Sequence, residues 1–160
     1  MTLTETVSVC DSTVTLAQSY DLPAIRAAMH LHANDPAGAF EILRLALKYD
    51  LAYEQDSFNS LYPAYLRGLA YLQSRDGRSA AVEFQKLLDH PGIVEREVDG
   101  AMALLQMARA QKMAGDDAAA RSYYEQFSTL WKEADPDIPA YREAKAEYAR
   151  LKSSNLEGPR

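Results

Sequence analysis

The sequence predicts an all-α protein, a stack of helical hairpins closed by one further helix. Three observations carry this. From Asp21 onward apolar residues recur at helical rather than strand spacing. Helix start and stop signals return again and again along the chain. And three segments superpose on one another at an almost constant interval, the signature of a repeat architecture rather than of a closed globule.

The first element follows Asp21-Leu22-Pro23 and the second follows Asp35-Pro36. In each a carboxylate stands ready to cap, and proline, which lacks an N–H, is tolerated in the first helical turn. These signals predict helices over about 22–33 and 36–48. Pro63 plays the same part for a third helix over about 61–74. Asp76-Gly77 is expected to stop that helix and to start a fourth, over about 78–89. The longer connector HPGIVEREVD leads to an apolar helix from Gly100 to Ala114, after which Gly115-Asp116 repeats the stop and start for a sixth helix over about 117–134. Trp131 falls seven residues after Tyr124 and is expected to continue its stripe. Asp135-Pro136-Asp137-Ile138-Pro139 breaks the chain, and AYREAKAEYARLK forms a last amphipathic helix with Tyr141, Ala144, Tyr148 and Leu151 on one face. The organisation is thus an extension over residues 1–20, where Thr and Val suggest a stray strand, a repeat domain over 21–152, and a disordered tail over 153–160.

Composition narrows the function classes. Of the residues, 48% are hydrophobic and 25% charged, ordinary for one soluble domain of 160 residues. A net charge of -6 without a Lys/Arg cluster argues against nucleic acid, which is held by cations that displace its counterions. Apolar runs are far too short to span a bilayer, so no direct membrane insertion is expected. The N-terminus has neither the basic start nor the apolar stretch of a secretory signal. Cys10 is the single cysteine and has no intramolecular disulfide partner.

AYLQSRDGRSAAVEFQKLL lies on AQKMAGDDAAARSYYEQFS with Asp76 on Asp116, Ala80 on Ala120 and Phe84 on Tyr124, a shift of forty residues. LHANDPAGAFEILRLAL enters the same frame with Asp35, Ala39 and Leu43. With the small residues Ala27, Gly68 and Ala108 in the first helix of each pair, these positions resemble tetratricopeptide repeats, in which small residues let two helices approach and the bulky one fills the space beyond. The resemblance implies a right-handed helical-hairpin solenoid of three repeats plus a C-terminal capping helix, with Tyr148 and Leu151 covering the end of the stack. Ala64 and Leu104 stand where that family often has tryptophan, and the interval exceeds the usual length of about 34 residues. HEAT-like hairpins, at about 40–47 residues, are the alternative.

A closer resemblance covers roughly residues 18–152. LYPAYLRGLAYL, AAVEFQKLLDHPGIV and YYEQFSTLWKEADPDIPAYREAKAEYARL are similar to the C-terminal repeat region of acidobacterial-type bacterial serine/threonine protein kinases. That implies a protein-binding tail attached to a kinase and a membrane segment. The chain itself carries no glycine-rich phosphate loop, His-Arg-Asp loop or Asp-Phe-Gly motif, so it is read as non-catalytic.

The remaining chemistry reads the same way. Arg75-Asp76-Gly77 is the turn between two packed helices, with Asp76 and Asp116 as helix caps. His30 and His32, two apart, point nearly opposite ways on a helix, unlike the i,i+4 pair of a zinc site; neither a metal nor a cofactor is expected. Tyr71, Phe84, Tyr124 and Phe127 take core positions. A concave strip is projected along the first helix of each pair: Ala28 and His32, then Tyr62, Tyr65, Leu69 and Gln73, then Met102, Leu105, Arg109 and Lys112. Its mixture of aromatic, apolar and basic groups suits a protein or peptide partner bearing an acidic element; the other reading of the strip is that Tyr62, Tyr65 and Met102 pack against neighbouring repeats or an upstream one. The alternative expectation is self-association as a homodimer, with the first hairpin meeting a second copy. A free-standing chain would be cytoplasmic; the tail of a membrane-anchored kinase would lie outside the cytoplasm.

Overall fold

In the computed structural model the described residues are 17–50, 61–91 and 98–154. They form seven α-helices packed in sequence, with no strand among them. The helices are α1 (Leu22–His32), α2 (Pro36–Leu43), α3 (Tyr62–Gln73), α4 (Gly77–Asp89), α5 (Val98–Ala114), α6 (Asp117–Leu130) and α7 (Pro139–Ser154). The suggested strand near the N-terminus and the end of the tail fall outside the described residues, although α7 runs through Ser154, past the expected start of the tail.

Three turns are built alike. At each, the backbone N–H of an aspartate reaches back five residues to a carbonyl oxygen: Asp35 to His30 at 2.8 Å, Asp76 to Tyr71 at 2.9 Å and Asp116 to Gln111 at 2.9 Å. The residue before each aspartate lies in the left-handed region, with φ of 57° at Asn34, 62° at Arg75 and 88° at Gly115. This is the arrangement that closes a helix C-terminus by satisfying its last carbonyls. The same aspartate then opens the next helix: its carboxylate accepts the N–H of Gly38 at 2.9 Å, Ser79 at 3.0 Å and Ala119 at 2.9 Å, respectively. These hydrogen bonds hold the Asp35 and Asp76 carboxyls below the usual carboxylate range, through the Gly38 N–H at Asp35 and through the Ser79 hydroxyl and N–H at Asp76.

Several sequence expectations are corrected in detail. Asp21 does not cap α1; it has helical backbone angles and ends a single π-turn, Ala17–Asp21, that packs on α1. The second helix stops at Leu43 rather than near 48 and passes into a short 3-10 turn, Leu47–Tyr49. Arg75, not Gly77, adopts the conformation that ends α3. Gly77 instead begins α4 in close contact with α5, where an added Cβ would lie 2.5 Å from the Ala110 carbonyl oxygen. The sixth helix ends at Leu130 rather than near 134, and Trp131 is its C-cap; it still packs on the cluster of Tyr124 and Phe127, its ring 5.0 Å from that of Phe127.

The core runs as three apolar clusters along the chain. Ala24, Ala27, Leu31, Ala39, Leu43, Leu66 and Ala70 join α1, α2 and α3. Leu61, Ala64, Tyr65, Ala80, Phe84, Leu87 and Met107 are among those joining α3, α4 and α5. Leu105, Ala108, Ala120, Tyr124, Phe127, Tyr141, Ala144 and Leu151 join α5, α6 and α7. Ala39, Ala80 and Ala120 are completely buried, as are Leu43 and Phe84. Besides its neighbours in sequence, α3 packs on α1 and on α5.

Candidate functional site

The projected strip is largely consumed by this packing. Tyr65 is buried, its ring edge-on to Phe84 at 5.8 Å, and Leu105 is fully buried in the third cluster. Ala28, Tyr62, Leu69 and Met102 are half-buried against the clusters, and Gln73 donates its amide to the Leu31 carbonyl at 2.9 Å, tying the end of α3 to α1. His32 is exposed at the end of α1. The physical reason is that α3 and α5 touch helices on more than one side, so more of their circumference is covered than on a helix packed against one partner.

Two of the projected residues, Arg109 and Lys112, line an open cavity of about 590 Å³ bordered by α3 and the turn after it, α5, α6 and α7. Leu72, Met113 and Leu151 supply apolar lining; Arg75, Arg109, Lys112 and Arg150 supply four cations and Glu147 a carboxylate; Tyr124 completes it. Of the core aromatics expected, Tyr124 therefore has a second face toward this space.

The electrostatics divide the cations into two kinds. Arg109 is anchored: its Nε and Nη2 donate to Glu147 at 2.9 and 2.8 Å, and Nη2 also donates to Glu143 at 3.0 Å. Burial alone would lower the Arg109 pKa, but Glu147 and Glu143 outweigh it and raise the value overall. The Tyr124 hydroxyl donates to the same Glu147 at 2.8 Å, and burial, with Glu147 beside it, pushes its pKa well up. This cluster fastens α7 to α5 and α6. Lys112 pairs with Asp117 at 2.9 Å. Arg75 and Arg150, by contrast, form no ion pair among the described residues.

A second hollow, of about 500 Å³, lies between α2, α3 and α4 beside Arg67. Its buried guanidinium is already held by Glu83 at 2.9 Å and by Asp50, with Lys86 bridging the same two carboxylates, so two cations are matched by two anions. That group knits α3 and α4 to residue 50 and leaves no charge unmatched.

His30 contacts Asp35 at 2.8 Å, which places it in the first turn. Among the described residues no group of three or more His, Cys, Asp or Glu side chains is placed to hold a metal, and no helix is long and apolar enough to cross a membrane. Sequence reasoning missed Leu72, Arg75, Met113, Glu147 and Arg150. The forty-residue register could have flagged Arg75, which occupies the place of Asn34 and Gly115. Compared with protein-family models, with curated proteins and with solved structures, the chain matches none.

Proposed function

We propose that the chain is a non-catalytic protein-interaction module of three tetratricopeptide-like hairpins capped by α7, binding a peptide or protein segment in the cavity between α3, α5, α6 and α7. The repeat reading is supported by the three like-built turns and the buried alanines that follow them, and by the packing of α3 on both α1 and α5. The observation that carries the binding reading is the cavity itself, which combines an apolar floor with charged side chains at its edge, the mixture that anchors a partner segment. A place as the tail, or a relative of the tail, of a bacterial serine/threonine kinase rests on the sequence runs between Leu61 and Leu151.

The test is capture from a bacterial lysate by the immobilised chain beside a Met113→Trp variant, in which an indole fills the cavity from α5. Circular dichroism first establishes that the variant folds. Partners held by the original chain and lost by Met113→Trp support the reading; an identical set of captured proteins sinks it.

One observation favours self-association as a second reading. Leu22, Ile25 and Met29 are 42%, 57% and 66% exposed at i, i+3 and i+7, an apolar stripe along α1. On this reading sedimentation velocity shows a dimer that Ile25→Asp with Met29→Asp dissociates, and a monomer at all concentrations removes it.

A further inference from the structure

We infer that the cavity selects acidic peptide segments, in which an apolar side chain enters between Leu72 and Met113 while flanking carboxylates meet Arg75 and Arg150. This rests on the interaction reading above and names the chemistry of its partner.

Charge is the first argument. Four cations and one carboxylate line the cavity, in a chain whose net charge is -6. With Glu143 and Asp117, which pair with Arg109 and Lys112 from beside the lining, three carboxylates oppose the four cations and a small positive excess is left, so a short acidic segment is attracted where a long polyanion would meet repulsion beyond the edge. The second argument is availability. Arg109 and Lys112 are satisfied by Glu143, Glu147 and Asp117, whereas Arg75 and Arg150 are paired with no carboxylate among the described residues. A guanidinium presents parallel donors that match a carboxylate. The chain already shows this chemistry at the same place, because Glu143 and Glu147, one helical turn apart on α7, grip Arg109.

The third argument is the backbone at Arg75. Its φ of 62° is one that glycine and asparagine adopt readily and arginine does not. Gly115 and Asn34 hold the equivalent places in the other two turns. An arginine in this conformation weakens the turn, and its side chain lines the cavity.

The experiment is selection of phage-displayed random dodecapeptides on the full chain, followed by fluorescence anisotropy with the selected peptides. The expected winners carry two or more Asp or Glu beside a Leu, Ile, Met or Phe, and their binding weakens as sodium chloride is raised. Arg75→Gly and Arg150→Gln each lower affinity at least about tenfold, the scale of one charge-assisted contact. Arg75→Gly removes the cation while easing the backbone, so lost binding with an unchanged or raised Tm is specific to the site. Neutral or basic winners, equal affinity for the variants, or no enrichment at all overturn the inference. Apolar peptides that bind Arg75→Gly normally but not Met113→Trp overturn it while leaving the interaction reading intact, and with no enrichment that reading is decided by the capture experiment.

Discussion

Gly68→Ala tests the packing of α3 against α4 with one methyl group. A Cβ built at Gly68 would lie 2.5 and 2.6 Å from Cε1 and Cζ of Phe84, against the roughly 3.5–4.0 Å at which carbon atoms rest in contact. Phe84 is fully buried and cannot swing into solvent, so the helices must separate or the ring must leave its rotamer. Overpacking of this kind costs about 1–3 kcal/mol, while alanine in place of a helical glycine recovers about 1 kcal/mol. The net expectation is a loss of up to about 2 kcal/mol, or up to about 8 °C in Tm for a chain of this length. Urea denaturation followed by circular dichroism measures it. Phe84→Leu supplies the control, because leucine lacks the two nearest of the three ring atoms that lie under 3.0 Å and keeps only a δ carbon, the position at 2.9 Å. The double variant should then be more stable than the sum of the single changes by about 1 kcal/mol or more. A Gly68→Ala protein more stable than the original, or a strictly additive cycle, would refute the close approach.

Three further outcomes follow from the same structure. Glu83→Ala leaves the buried Arg67 guanidinium without one of its two carboxylates and should cost about 3–5 kcal/mol in chemical denaturation, whereas Arg67→Met with Glu83→Leu should cost far less. Asp76→Asn should lower Tm at pH 7, and the gap should close in acid: a carboxyl held low in the fold stabilises above its unfolded value near pH 4 and loses that contribution as pH falls through the folded one. A gap that persists to pH 2 contradicts the cap's charged role. Arg75→Gly should raise stability by about 1 kcal/mol, since the left-handed backbone no longer opposes a side chain; calorimetry showing a decrease would mean that the arginine contributes contacts to the fold.

How far the sequence could be read differs with the range of the interaction. The helix starts at Asp35, Asp76 and Asp116 were legible because capping is local: in each, the carboxylate and the N–H it accepts lie within four residues. Ala39, Ala80 and Ala120, together with Leu43, Phe84 and Tyr124, were legible because helical periodicity fixes which side of the second helix meets the first. Asp21 misled, since its Asp-Leu-Pro signal closes a π-turn in which the aspartate itself has helical angles, and its side chain makes no capping hydrogen bond. Trp131 was legible in its packing, on the cluster of Tyr124 and Phe127, but not in the length of its helix. Seven residues from Tyr124 keeps it over that cluster because its N–H still reaches the Phe127 carbonyl, one position past the helix end at Leu130.

The candidate site was least legible because it belongs to no single element. Projecting the first helix of each pair treats it as having one covered side; α3 and α5 each meet several helices, and so Tyr65 and Leu105 went to the core while Arg109 and Lys112 stayed at an edge. What makes that edge a cavity is α7, brought there by contacts across long stretches of chain: Arg109 with Glu147 and Glu143, and Tyr124 with Glu147. No spacing rule relates residue 109 to residue 147. Arg75 is the exception that could have been caught, since aligning the turns sets it against asparagine and glycine, residues chosen for their tolerance of the left-handed region. A local rule broken at one repeat and kept at the other two is a signal that something beyond the fold acts on that position, and here the offending side chain lines the same space as Arg150.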